Sequence, residues 1–246
     1  QTSIKTIYDA LVELVTNSDD AYGRINSSLE DIKIKIVRSS ERHDFLPVVE
    51  DQKLSSIFVI DQASGMTFDE MSNYLLTVGD YTSGDDSRGM MGRGAKDCSI
   101  LGDVIFTSVK DGKLSQLVIY QNLTADIILQ DTDATNASST YNILANGTSV
   151  ELRVEPSLIP DFDTFKTNIQ RNIYLRNILT NNNVTLSLLQ DEIVKRLTYY
   201  IPEGKVIMEC DYDIPDYETT AHIKIMSLDN KLPIPVSEDQ REYGVL

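Results

Sequence analysis

The chain has 246 residues, 22 Lys and Arg against 38 Asp and Glu, a formal net charge of −16 and 41% apolar residues. That content supplies a core for one large domain, or one domain and part of another, and excludes a wholly disordered chain. No apolar run nears the roughly 20 residues of a membrane span. The two cysteines (Cys98, Cys210) and two histidines (His43, His222) make neither a disulfide framework nor a Cys- or His-rich metal centre, and a surface this acidic repels phosphate backbones, which argues against direct nucleic-acid binding by this segment.

Helical periodicity opens the chain: Ile4, Ile7, Tyr8, Leu11, Leu14 and Val15 form the apolar side of an amphipathic helix over 4–22. Residues 32–38 alternate as a half-buried strand, 39–55 read as a polar loop or insertion, and 56–60 as a buried strand ending at Asp61. A helix is expected over 66–78, a Gly- and acid-rich loop over 79–94, and a short helix over 95–101. Strands follow at 103–109, 114–120 and 125–130, the first two joined by the hairpin turn Asp111-Gly112. A polar loop is expected at 131–146, a strand at 149–154, one helix over 162–179, a strand at 184–189, and short strands with Pro turns after Pro202. Several strand links are too short for parallel crossovers. The fold class is therefore α/β (α+β): a two-layer sandwich with a mixed, mainly antiparallel sheet and helices on one face. No charged-then-apolar leader is visible and periodicity begins at once, so the chain reads as a cytoplasmic piece of a longer protein.

Four stretches carry chemistry. On the first helix, with about 100° per residue and Glu13 at 0°, Asn17 falls near 40° and Asp20 near −20°, opposite the apolar side. An isolated polar stripe is ordinarily a solvated face. This one has two acids, an amide and no Lys or Arg, which suits a hard cation and an activated water. The second stretch is Asp61-Gln62-Ala63-Ser64-Gly65-Met66, where a strand delivers an acid to small residues that let a flat ligand approach; its plain alternative is an Asx-capped turn. The third is Gly89 to Lys96, glycines running into a helix start with a Lys in its first turn, a phosphate-binding pattern that is not a Walker loop. The fourth is Gly147-Thr148-Ser149-Val150, uninformative alone.

In this order and spacing the chain resembles the GHKL ATPase superfamily: DNA gyrase B, the ninety-kilodalton heat-shock chaperone, histidine kinases and MutL. ELVTNSDDA at 13–21 resembles the first motif, DQASGM at 61–66 the second, GMMGRGAK at 89–96 the third and GTSV at 147–150 the fourth. The likeness covers 4–155 closely and 156–200 loosely. It implies a Bergerat-type ATP-binding fold over 1–200, with 201–246 the start of a second, mainly β domain or a linker. It also implies ATP and Mg2+ as ligands. Glu13 would be the catalytic base that polarises the attacking water, and Asn17 the magnesium ligand. Asp20 would support the pocket floor with Ala21 beside it, and Asp61 would accept from the adenine amine. Gly65 and Met66 would pack on the base, Gly89, Gly92 and Gly94 would let a lid close, Lys96 would hold the β/γ-phosphates, and Thr148 would join the network around Asp61.

Ala63 replaces the first glycine of the second motif, and Asp80, Asp85 and Asp86 make the third motif's loop unusually acidic. Glu13 with Asp20-Ala21 resembles the hydrolysing branch. The resemblance implies an ATP-gated clamp that dimerises in the full-length protein, with weak turnover in this segment alone, because related enzymes take a further Lys or Arg from the next domain. A non-hydrolysing nucleotide sensor and a histidine-kinase-type catalytic domain are the alternatives.

Overall fold

The computed structural model describes residues 4–38, 54–76, 94–200, 204–214 and 219–228. Helix α1 (Ile7–Arg24) begins where the Thr6 side chain accepts from the Asp9 N–H while the Asp9 carboxylate accepts from the Thr6 N–H. This reciprocal cap sets the start three residues later than the apolar spacing alone indicates. A second cap of the same kind, Thr67 with Glu70, starts α2 (Phe68–Leu76).

Eight strands form one sheet: β1 (Glu30–Val37), β2 (Ser55–Asp61), β3 (Asp103–Lys110), β4 (Lys113–Ile119), β5 (Ala125–Asp133), β6 (Gly147–Val154), β7 (Val184–Gln190) and β8 (Ile193–Arg196). Their order is β5-β4-β3-β6-β2-β1-β7-β8, and every pairing is antiparallel except β1 with β7. The mixed, mainly antiparallel two-layer architecture expected from the sequence is the one observed. Asp111 and Gly112 both have positive φ, 51° and 75°, the two-residue turn that suits the twist of the β3–β4 hairpin.

The core lies between the sheet and the helices. Ile32, Ile34 and Ile36 of β1, Ile57 and Val59 of β2, Val104 and Phe106 of β3 and Leu152 of β6 point into it. They meet Leu11, Leu14 and Val15 of α1, Met71 and Leu75 of α2, and Phe165 and Ile169 of α5 (Phe162–Gln170). Alternation along the strands sends Lys33 and Lys35 to the opposite face.

Four expectations need correction. The 131–146 segment is not all loop: β5 runs to Asp133 and a helix α4 (Ala137–Tyr141) follows, because Ala137 and Ile143 bury against Val109 and Leu114 in a small second cluster. The helix over 162–179 is broken. It ends at Gln170, and α6 (Arg176–Thr180) begins only after a 3-10 turn, because Asn172 is extended at φ −73°, ψ 117° and uses its side chain to cap the Tyr174 N–H. The freed Gln170 carbonyl accepts from the Tyr200 N–H at 2.8 Å. The helix expected over 95–101 is a single turn, α3 (Gly94–Asp97), followed by a 3-10 turn. Last, β9 (Gly204–Ile214) and β10 (Thr219–Leu228) are long strands, paired with each other and not with the large sheet. The stretches 39–53 and 77–93, with the loop readings made for them, lie outside the described residues.

Ile34 is fully buried between α1 and the centre of the sheet. Ile34→Ala is expected to lower stability by about 3 kcal/mol, read as a lower urea midpoint at an unchanged slope.

Candidate functional site

The site grows from α1. Its apolar side is fixed in the core, so Glu13, Asn17 and Asp20 are left half-buried along the other side. One helical turn separates Glu13 from Asn17, and the Asn17 amide nitrogen donates to Glu13 Oε1 at 3.1 Å. Burial pushes the Glu13 carboxyl above its ordinary range; the Asn17 hydrogen bond opposes this, and the charges of Asp20 and Asp97 add to it.

Gly94, the first residue of α3, lies directly over that carboxylate. A Cβ placed there would stand 2.0 Å from both Cδ and Oε1 of Glu13. The third motif thus meets the first at a position with no room for a side chain. Cys98 holds this approach from beneath: its Sγ is buried and lies 3.4 Å from the Gly94 carbonyl it donates to. Burial, Glu13 and Asp97 push its thiol far up, so it stays protonated as a donor. Lys96 is half-buried within the same turn.

The second part of the site is Asp61, at the C-terminal end of β2 and 4% exposed. It stands opposite Thr148 in the β2–β6 register. Its Oδ1 accepts from the Ala63 N–H at 3.0 Å and the Thr148 N–H at 3.2 Å, and its Oδ2 accepts from Ser18 Oγ at 3.1 Å. Burial outweighs these bonds and the charge of Arg24, and raises the Asp61 carboxyl to about 6. After it the chain turns sharply through Gly65, at φ 62°, where a Cβ would meet the Val109 carbonyl oxygen at 1.9 Å. Met66 is then tied down through its N–H, which donates to Ser108 Oγ at 2.7 Å. Ser108 in turn donates to the Gly147 carbonyl at 3.2 Å.

The structure therefore brings Glu13, Asn17 and Gly94 into one cluster and Asp61, Gly65, Met66 and Thr148 into another. Asp20 flanks the first and acts on it through its charge. Ala21 is in the core, not among the polar groups. Ala63, the departure from the resembled motif, is also a core residue: its methyl is buried and only its N–H serves the site. Gly89 and Gly92 lie outside the described residues. Sequence reasoning missed two residues. Ser18 joins the clusters, and its signal was a small polar residue on the apolar side of α1. Ser108 ties the second motif to the fourth, and nothing in β3 (DVIFTSVK) sets it apart from its neighbour Thr107.

Among the described residues no group of three or more His, Cys, Asp or Glu could hold a metal ion. The Asn17 amide, whose nitrogen is engaged by Glu13, has an oxygen that fits a hard cation keeping most of its shell in water and phosphate oxygens.

Two outcomes are expected. In Gly94→Ala the new methyl drives the flexible Glu13 carboxylate aside, so stability changes by less than about 1 kcal/mol while the Glu13 titration, followed by NMR, moves down toward the ordinary carboxylate range. For Asp61 the folded state holds its proton more tightly than the unfolded chain, whose ordinary value is 3.8. Its ionisation thus opposes folding: the penalty is absent below pH 3.8, grows as pH rises and is complete above about 6. Urea unfolding of wild type and Asp61→Asn should show the wild type losing ground to the variant between pH 4 and pH 7.

No helix among the described residues is long and apolar enough to cross a membrane. No curated protein matches the chain. A family model described as "Histidine kinase-, DNA gyrase B-, and HSP90-like ATPase" matches residues 5–148, a span that runs from the cap of α1 to Thr148 and takes in both clusters. The chain belongs to this family of ATP-binding ATPase domains.

Proposed function

We propose that residues 1–200 bind and hydrolyse ATP with Mg2+, and that 201–246 begin a second unit through which nucleotide state is passed on. The observation that carries the reading is two unlike carboxylates along one helix: Glu13 on α1 itself, and Asp61 of β2 bonded to Ser18 of α1. Asp61 is buried and held by three donors, of which only one goes to Oδ2, so that oxygen keeps lone-pair capacity for an exocyclic amine. Glu13 is half-buried and made more basic than a free carboxylate, as a base that takes a proton from water requires.

In this reading Asp61 selects the base, with Thr148, Gly65 and Met66 around it. Asn17 gives its nitrogen to Glu13 and so presents its oxygen to the cation. Magnesium would supply charge neutralisation between the phosphates. Glu13 orients the attacking water and accepts its proton, and Lys96 with the start of α3 meets the phosphates. Hydrolysis of this kind needs positioning and charge neutralisation more than covalent help. ATP binding would close the domain and favour a homodimer of the full-length protein, and hydrolysis would reopen it.

Isothermal titration of Mg-ATP is the test. Wild type should bind. Asp61→Asn should weaken binding at least about tenfold, since the amide turns a donor toward donors. Glu13→Gln should bind within about twofold of wild type while turnover in the full-length protein falls roughly 100-fold. Equal binding by wild type and Asp61→Asn would sink the assignment of Asp61; equal turnover by wild type and Glu13→Gln would sink that of Glu13.

A further inference from the structure

Asp61 is the last residue of β2 in the ladder, so the next N–H, that of Gln62, has no strand partner. A backbone donor beside a buried carboxylate must still be satisfied. Its acceptor is the hydroxyl of Tyr22, at 2.9 Å. Tyr22 is 4% exposed, and its oxygen is fully used: it donates to the Asp31 carbonyl at 2.9 Å and accepts from the Asp31 N–H at 3.2 Å as well. The phenol thus bolts the start of β1 to the turn after Asp61.

Ser18 and Tyr22 are four residues apart on α1 and so share a face. Ser18 grips the Asp61 carboxylate while Tyr22 grips the backbone of the following residue. Gln62 extends the chain of contacts through its side chain. Its Nε2 donates to the Asn142 carbonyl at 2.7 Å and its Oε1 accepts from the Leu144 N–H at 2.8 Å. That clamp fixes the segment leading into Gly147 and Thr148, where the Thr148 N–H returns to Asp61. Every segment that meets the Asp61 carboxylate is therefore linked back to one residue, Gln62, and Gln62 is held by Tyr22.

We propose that Tyr22 is a positioning residue for base recognition: through Gln62 it sets the direction of the Asp61 carboxylate and the Thr148 turn, and so governs selectivity for a 6-amino purine triphosphate over its 6-oxo analogue. This rests on the ATP-binding reading given above. Tyr22 touches no part of the Glu13 cluster in the described hydrogen bonds, so its effect falls on the base and not on the phosphates.

The test compares Mg-ATP and Mg-ITP by titration calorimetry, with amide hydrogen exchange alongside. Wild type should prefer ATP. Tyr22→Phe keeps the ring and strands the Gln62 N–H, so ATP binding should weaken about tenfold while ITP changes less than about twofold, and exchange at Gln62 and Ala63 should quicken. Gln62→Met keeps the bond to Tyr22 and deletes the clamp; it should cost ATP about threefold, spare ITP and quicken exchange at Leu144. If Tyr22→Phe does not fold, the same ATP-to-ITP ratio is judged on protein carrying 3,5-difluorotyrosine at position 22, which keeps the ring and weakens its oxygen as the acceptor for the Gln62 N–H. Parallel weakening of both nucleotides, or an unchanged ratio, overturns the proposal and leaves the ATP reading standing. A wild type that binds neither nucleotide overturns both.

Discussion

A carboxylate taken out of water has to be surrounded by donors, and that requirement organises this protein. Asp61 draws its donors from three places: the turn it begins, strand β6 and helix α1. An ionised group so placed without them would cost several kcal/mol. Each donor depends on a different level of structure. The Ala63 bond depends on a tight turn, the Thr148 bond on sheet register, and the Ser18 bond on how α1 lies across the strands. Because side chains alternate along a strand, a slip of one residue between β2 and β6 would send Asp61 to the far face and Ile60 into the site. Sheet register and the hydrogen bonding of Asp61 are thus one constraint seen twice.

The second cluster follows from charge. Glu13, Asp20 and Asp97 face one another at the root of α3, in a chain that already carries −16. Such a cluster resists taking in a triphosphate unless cations come with it. Under the proposed function this makes the metal and Lys96 conditions for binding, and it keeps Glu13 basic until they arrive. The two carboxylates are tuned upward by different means: Asp61 by burial against its hydrogen bonds, Glu13 by burial together with like charge. Asp61 is held through both of its oxygens, whereas Glu13 is held through Oε1 by Asn17 and lies against Gly94.

Much of this was legible in the residues. The period of α1, the alternation of β1, the abrupt end of β2 at an acid and the Asp111-Gly112 hairpin are local signals, and each predicted its element to within a few residues. Glu13 and Asn17 lie on the expected helix and Asp61 at the expected strand end, whereas Thr148, expected in a turn, is the second residue of β6. What escaped was set by distant partners. Nothing near Asn172 shows that a carbonyl two residues back will accept from Tyr200. The short helix α4 exists because Ala137 and Ile143 find Val109 and Leu114 in a hairpin earlier in the chain. Ser18, Ser108, Tyr22 and Gln62 carry no motif signature of their own; their roles come from contacts across 40 or more residues.

The single parallel pairing, β1 with β7, joins the first strand of the sheet to its seventh. All residues of both clusters precede β7 in the chain, yet β1 stays an open edge until β7 has been made and delivered. During synthesis the residues of both clusters are therefore complete before the sheet that holds them can close. Non-local pairings of this kind are the slow step in folding, and an unpaired strand with one apolar face, as β1 has, invites association with other chains while it waits. A piece ending at Val154 would carry all four motifs and strand β6, and would remain in that state permanently, with the inner side of Ile32, Ile34 and Ile36 backed by helix α1 but the backbone edge of β1 unclosed.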